Sequence, residues 1–179
     1  TLMRSSAASD VYKRQEKNKI AVLNNPIEHA IKIIVALKCA MTPLTRDRLV
    51  AYEYFALHLT DLNKNAESLF PQIPYRACTY VCNHTDITMA LEILLSRDLI
   101  KYAIKNDRLC YTLTEAGILF EEYLQNEYKQ RLTIMMVEVV SLLKNKSDAD
   151  IQEYVEQNIG KWGSEFEREY ILIKDVNHG

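Results

Sequence analysis

The chain has 179 residues, 48% of them hydrophobic, and a net charge of −2. That is one ordinary domain's worth of chain with material for a core, and too little positive charge to hold nucleic acid by bulk electrostatics. No apolar run reaches the length of a membrane span, and the irregularly spaced Cys39, Cys78, Cys82 and Cys110 suit reduced thiols, which points to a cytoplasmic protein.

The opening residues stand apart. Ser5 to Gln15 reads SSAASDVYKRQ, which looks like a sequencing-library adapter translated in frame. The expectation is a non-native scar over residues 1–15, with the native protein beginning near Glu16. Setting aside Arg4, Lys13, Arg14 and Asp10 moves the net charge from −2 to −4. The remaining charge is uneven: residues 16–113 carry 12 bases and 10 acids, residues 114–179 carry 7 bases and 13 acids.

Asn25-Pro26 is a helix start, an N-cap followed by a proline tolerated in the first turn. Ile27, Ala30, Ile31, Ile34, Leu37 and Cys39–Met41 follow at helical spacing, and Thr42-Pro43 stops the run. Thr45 caps a second helix with Leu49, Tyr52, Phe55, Ala56 and Leu59 as its buried face, and Asp47 in its first turn. Asp61 to Arg76 is a long connection. Its first half reads as flexible, whereas Pro71 and Pro74 stiffen its second half. A third helix is expected from about Tyr75 to Asn83 and a fourth from Thr85 or Asp86 to Arg97. The period then changes: Leu99–Ile104, a turn at Asn106-Asp107 and Leu109–Leu113 read as a β-hairpin. Thr114-Glu115 restarts helix as far as about Lys144, and Ser147–Ile159 forms a further short helix.

This order predicts a mainly α protein with one small β-hairpin: a winged helix-turn-helix core, a long C-terminal helix and a helical tail. The expected division is a winged-helix domain over 16–145 and an acidic helical extension over 146–179. The helix that would enter a DNA groove carries Asp86, Glu92, Arg97 and Asp98, a balance that repels phosphates. The hairpin is mildly basic, and Lys101, Lys105 and Arg108 are candidates for contact with a DNA backbone. The exposed side of Asp86–Leu113 is therefore expected to engage protein rather than a polyanion.

Enzyme chemistry finds little support. Cys78, Cys82 and His84 share a helical spacing that could meet a metal, but no fourth ligand accompanies them; small core cysteines are the simpler reading. His58, before Asp61, reads as a boundary histidine, and His29 likewise. The four glycines, at 117, 160, 163 and 179, form no phosphate loop. The expectation is a non-enzyme with no catalytic, cofactor or metal residue. Leu132, Met135, Val139 and Leu142, with Phe120, Leu124 and Tyr128 upstream, form a stripe that fits either a partner helix or the chain's own core.

The segments NNPIEHAIKIIVAL, TRDRLVAYEYFALHLTDL, SLFPQIPYR, MALEILLSRDLI and YTLTEAG, taken in this order over roughly residues 24–145, resemble the middle component of ABC three-component prokaryotic conflict systems, also called Lamassu-type defence systems. Where that family tends to place His after Ser-Leu, this chain has Phe70, which favours a structural or docking role for the loop. The resemblance implies an adaptor subunit that bridges an SMC-like ABC ATPase and an effector, often a nuclease, in an anti-phage or anti-plasmid complex. It also implies that DNA is met only indirectly, through the complex. The loop residues Leu69, Phe70, Ile73, Tyr75 and Arg76 would then either cover the core or dock on a partner, with Arg76 set to pair with a carboxylate; Leu132, Met135 and Val139 are the second docking candidates. The alternative is a winged-helix transcription regulator that forms a homodimer through its long helix.

Overall fold

Asn25 opens helix α1 (Pro26–Ala40) by accepting the backbone N–H groups of Ile27 and Glu28 on its side-chain oxygen. Met41, at φ 50°, closes the helix in a left-handed cap. Thr45 caps α2 (Arg46–Leu57), and a 3-10 turn (Leu59–Asp61) follows. The computed structural model describes residues 25–71 and 76–162. Past the connection come α3 (Ala77–Ser96), β1 (Ile100–Lys105), β2 (Arg108–Leu113), α4 (Glu115–Tyr123), α5 (Glu127–Leu143) and α6 (Asp148–Asn158). The described residues are thus mainly helical with one antiparallel hairpin, paired from Ile100↔Leu113 to Lys105↔Arg108.

The hairpin turn falls on Asn106 and Asp107, both with positive φ, as a tight two-residue turn requires. A further bridge joins Leu44, between α1 and α2, to Tyr111 of β2 through backbone bonds of 3.0 and 2.8 Å.

Helix α2 is central. It packs against α1, α3, α5 and α6, and every residue from Leu49 to Leu57 is buried. The expected face on this helix is buried, but so is the opposite one. On α1 the expected apolar face is partly displaced: Ile27 and Met41 are exposed, while His29 and Lys32 lie in the core. Neighbours on both sides of α1 leave its middle turns no solvent side.

Three further expectations are corrected. The helices expected over 75–83 and 85–97 are one continuous helix within α3; Thr85 and Asp86 read as a start, yet no proline or glycine interrupts the ladder, so propagation continues through them. Conversely, the single helix expected from Thr114 to Lys144 is two. Leu124 is extended (φ −70°, ψ 104°) and Asn126 caps α5 by accepting the Lys129 N–H at 2.7 Å. The buried face of α5 is Leu132, Met136, Val139 and Leu143, so Met135 and Leu142 lie off its centre. Residues 148–162, within the expected acidic helical extension over 146–179, contribute Ile151, Val155 and Trp162 to the main core, and Trp162 stacks on Tyr54 at 4.8 Å. The residues of that extension beyond 162, and the expected scar over 1–15, lie outside the described residues.

Candidate interaction surfaces

Polar groups inside the protein gather around two carboxylates, Glu28 and Glu53. Lys32 on α1 places its Nζ 3.0 Å from Glu28 Oε1 and 3.4 Å from Glu53 Oε1. Asn83 of α3 donates to the same Glu53 oxygen at 3.5 Å, and Tyr128 of α5 donates to Glu28 at 3.4 Å. His29 Nδ1 lies 2.5 Å from Glu53 Oε1 without the alignment of a hydrogen bond, and its Nε2 is 3.8 Å from Asp86. These groups join four helices through two carboxylates, Glu53 and Glu28, with Lys32 between them. Lys32, His29 and Glu53 are buried, so substrate has no approach to them; the arrangement holds the helices in register.

His58 ends α2, buried against the Tyr54 ring at 5.0 Å. Burial lowers its pKa to about 4, so it is a neutral core residue rather than the boundary histidine expected. Cys78 and Cys82 are exposed, not the small core residues expected, because the start of α3 extends past the core. Among the described residues no cluster of His, Cys, Asp and Glu could hold a metal ion.

The Ser68–Arg76 loop is fastened at both ends. Ser68 Oγ accepts the Thr60 N–H at 3.1 Å, and the Phe70 N–H donates to the Leu57 carbonyl at 3.1 Å. Arg76 grips Asp61 with two bonds, Nε at 2.9 Å and Nη2 at 2.7 Å. The Tyr54 hydroxyl donates to Asp61 at 2.7 Å, and burial together with that bond raises the phenol's pKa. Tyr154 of α6 donates to the Asp61 carbonyl. Leu69 and Arg76 are buried and Phe70 is half-buried against the core; Ile73 and Tyr75 lie outside the described residues. Of the second docking set, Leu132 and Val139 are wholly enclosed in the chain's own core, and only Met135 keeps some surface. In this conformation the buried members support a surface rather than present one.

Among the described residues, the exposed large apolar side chains include Phe120 and Leu142 of the expected stripe, but most lie outside it. Helix α4 buries only Gly117 and Glu121. Its Leu119 is 66% exposed and Tyr123 86% exposed, with Ile118 and Phe120 beside them. On the hairpin, strand alternation puts Tyr102, Ile104 and Leu109 on one face, all exposed. The helical pattern of α4 shows apolar residues in sequence but not that they stay uncovered.

Alternation puts Lys101, Ala103, Lys105, Arg108 and Cys110 on the other face of the hairpin. Lys105 and Arg108 there line a cleft of about 380 Å³, closed on its far side by the end of α5 and the start of α6. Arg48, Lys144 and Lys146 complete five bases around a single carboxylate, Asp148. Asp148 accepts from Thr45 at 2.7 Å, Arg48 Nε at 2.6 Å and Arg108 Nη1 at 2.8 Å. Burial alone would raise its pKa; the bonds from Thr45 and Arg48 outweigh that and lower it. The expectation of a surface unfit for a polyanion counted residues 86–113 alone; the fold adds Lys144 and Lys146 from more than thirty positions downstream.

No helix among the described residues is long and apolar enough to cross a membrane. The family whose sequence profile matches the chain is described as ABC-three component (ABC-3C) system Middle Component 2, over residues 22–165. No curated protein and no solved structure matches.

Proposed function

The chain belongs to the Middle Component 2 family of ABC-three component systems, and from that premise we propose that it is a non-enzymatic adaptor bridging an SMC-like ABC ATPase and an effector, often a nuclease, in a Lamassu-type defence complex. The observation that carries the reading is the family match itself, which spans nearly all of the described structure. A component of a multi-subunit system has protein partners, and this one carries uncovered apolar side chains on α4 and on the hairpin. Exposed apolar side chains grouped on one element, as Leu119 and Tyr123 are one turn apart on α4, suit a contact with protein. The proposed docking surface centres on Leu119 and Tyr123, and of the docking residues expected from the sequence, Phe70 and Met135 are partly exposed.

We read the core as a winged helix. What supports this is the order α1, bridge, α2, α3, hairpin, in which Leu44 adds a third extended segment to the hairpin at Tyr111. The departure is the connection between α2 and α3, far longer than a compact helix-turn-helix allows. The alternative of a transcription regulator dimerising through a long helix is weakened, because that helix is broken at Leu124–Asn126 and its stripe is used internally.

The test is co-expression of the tagged chain with the other components of its system. The adaptor reading expects an ATPase and an effector to co-purify, and the isolated chain to hydrolyse neither ATP nor nucleic acid. Recovery of the chain alone as a homodimer would overturn it.

A further inference from the structure

We infer that the cleft between the hairpin and the α5–α6 turn is a contact site for the phosphodiester backbone of duplex nucleic acid, reached through Lys105, Arg108, Lys144 and Lys146. This inference does not rest on the adaptor reading; it rests on which bases are committed and which are not.

Arg48 is fully engaged: Nε bonds Asp148, Nη1 the Tyr52 hydroxyl at 3.4 Å and Nη2 the Lys146 carbonyl at 2.5 Å. It is a structural member of the cleft. Asp148 holds Arg108 by one nitrogen, which orients the guanidinium while leaving it 55% exposed with other donors unspent. Lys105, Lys144 and Lys146 are exposed, and the ion pairs among the described residues include none of them. Asp148, already shared by two arginines, is the one carboxylate among the described lining residues. Asp107 in the hairpin turn and Asp150 beside Lys146 lie just outside it, so five bases face three acids. The site is therefore locally positive on a chain of net charge −2.

The form of this surface selects the ligand. The uncommitted bases are separate, exposed charges around a rim, not buried donors converging on one atom. Such a rim suits spaced single charges, as along a nucleic-acid backbone, better than a lone phosphate in a built pocket. A protein partner is better matched to the hairpin's opposite face, where Tyr102, Ile104 and Leu109 are exposed, since interface centres are depleted of charge. The hairpin thus separates an apolar face from a basic one. The acidic α3 plays no part: engagement by rim lysines without base-reading donors gives binding that is sequence-independent and salt-sensitive.

The experiment is fluorescence anisotropy of a labelled 20-bp duplex with the full chain as salt is varied. About four neutralised phosphates predict an affinity falling about 150-fold between 50 mM and 200 mM salt. The triple variant K105A/K144A/K146A is expected to bind at least about tenfold more weakly at 50 mM and to lose most of that salt dependence. K64A/R97A/R131A removes three exposed bases outside the cleft and equalises net charge; it is expected to bind like the parent. No duplex binding at 50 mM salt, or equal loss in the two triple variants, would overturn the assignment. So would displacement by polyglutamate at charge-equivalent concentration, or by inorganic phosphate at low millimolar concentration, since each would show an anion site indifferent to the duplex.

Discussion

Helices α2 and α4 are of similar length and both carry apolar residues, yet one is enclosed and the other nearly bare. In α2 nine consecutive residues are buried, and the enclosure extends to a carboxylate, Glu53, and ends on a histidine, His58. In α4 a glycine and a glutamate are the buried residues, while Ile118, Leu119, Phe120 and Tyr123 face outward. α4 is held by other means: Glu121 to Lys129 at 2.6 Å, Glu122 to Lys38 at 2.8 Å, and the close packing of Gly117 on Leu99. Apolar content alone therefore does not decide what is core. α2 is buried because four helices surround it; α4 is fastened by polar contacts and leaves its apolar residues exposed.

The comparison can be broken most forcefully inside α2's surroundings. Lys32→Ala removes a cation beside Glu53 and leaves that carboxylate short of a partner in the core; the expected loss is about 3–5 kcal/mol of stability, read from urea denaturation. A loss below about 1 kcal/mol would mean that the buried charges are not what holds these helices in register.

On α4 the sensitive point is Gly117. A Cβ there would overlap the backbone carbonyl oxygen of Leu99, which a flexible side chain cannot relieve. Gly117→Ala should destabilise by about 3 kcal/mol through overpacking, measured as a fall in the urea midpoint. A neutral result would show that α4 is not seated against the start of the hairpin.

His58 gives a pH signature for the α2 side. Its folded pKa of about 4 lies below the ordinary histidine value, so the unfolded chain binds the extra proton over pH 4 to 6.5. Stability is then retained above that window and lost as pH falls through it, by about 2 kcal/mol from pH 7 to pH 5. His58→Asn should remove this part of the pH dependence; parallel stability curves for parent and variant would contradict it.

The smallest expected change in stability is the most informative about α4. Leu119→Glu with Tyr123→Glu replaces two exposed side chains, so stability should move by no more than about 0.5 kcal/mol. A larger fall would mean that α4 is covered within the chain itself.

Much of the fold was legible because local rules and tertiary packing agree. Asn25-Pro26, Thr45 and Asn106-Asp107 carry cap and turn chemistry, and each starts or turns an element as read. Failures came where local preference and context diverge. Thr85-Asp86 looks like a helix start, but a formed helix passes through it, while Asn126-Glu127 is a start that the apolar period ran across. The basic cleft could not be read from any window, since Arg48, Lys105 and Lys144 meet only after folding. The Arg76–Asp61 grip was half visible: the arginine invited a carboxylate, but its identity depended on how the loop closes.

The central claim is that the bare face of α4 waits for another component of the same system. The most direct measurement is the stoichiometry of the co-purified complex for the parent chain and for the Leu119→Glu, Tyr123→Glu variant, with both melting temperatures recorded. The account predicts that the variant melts like the parent and loses at least one of the other two components. Retention of both components at parental stoichiometry, by a variant whose folding is intact, would contradict it.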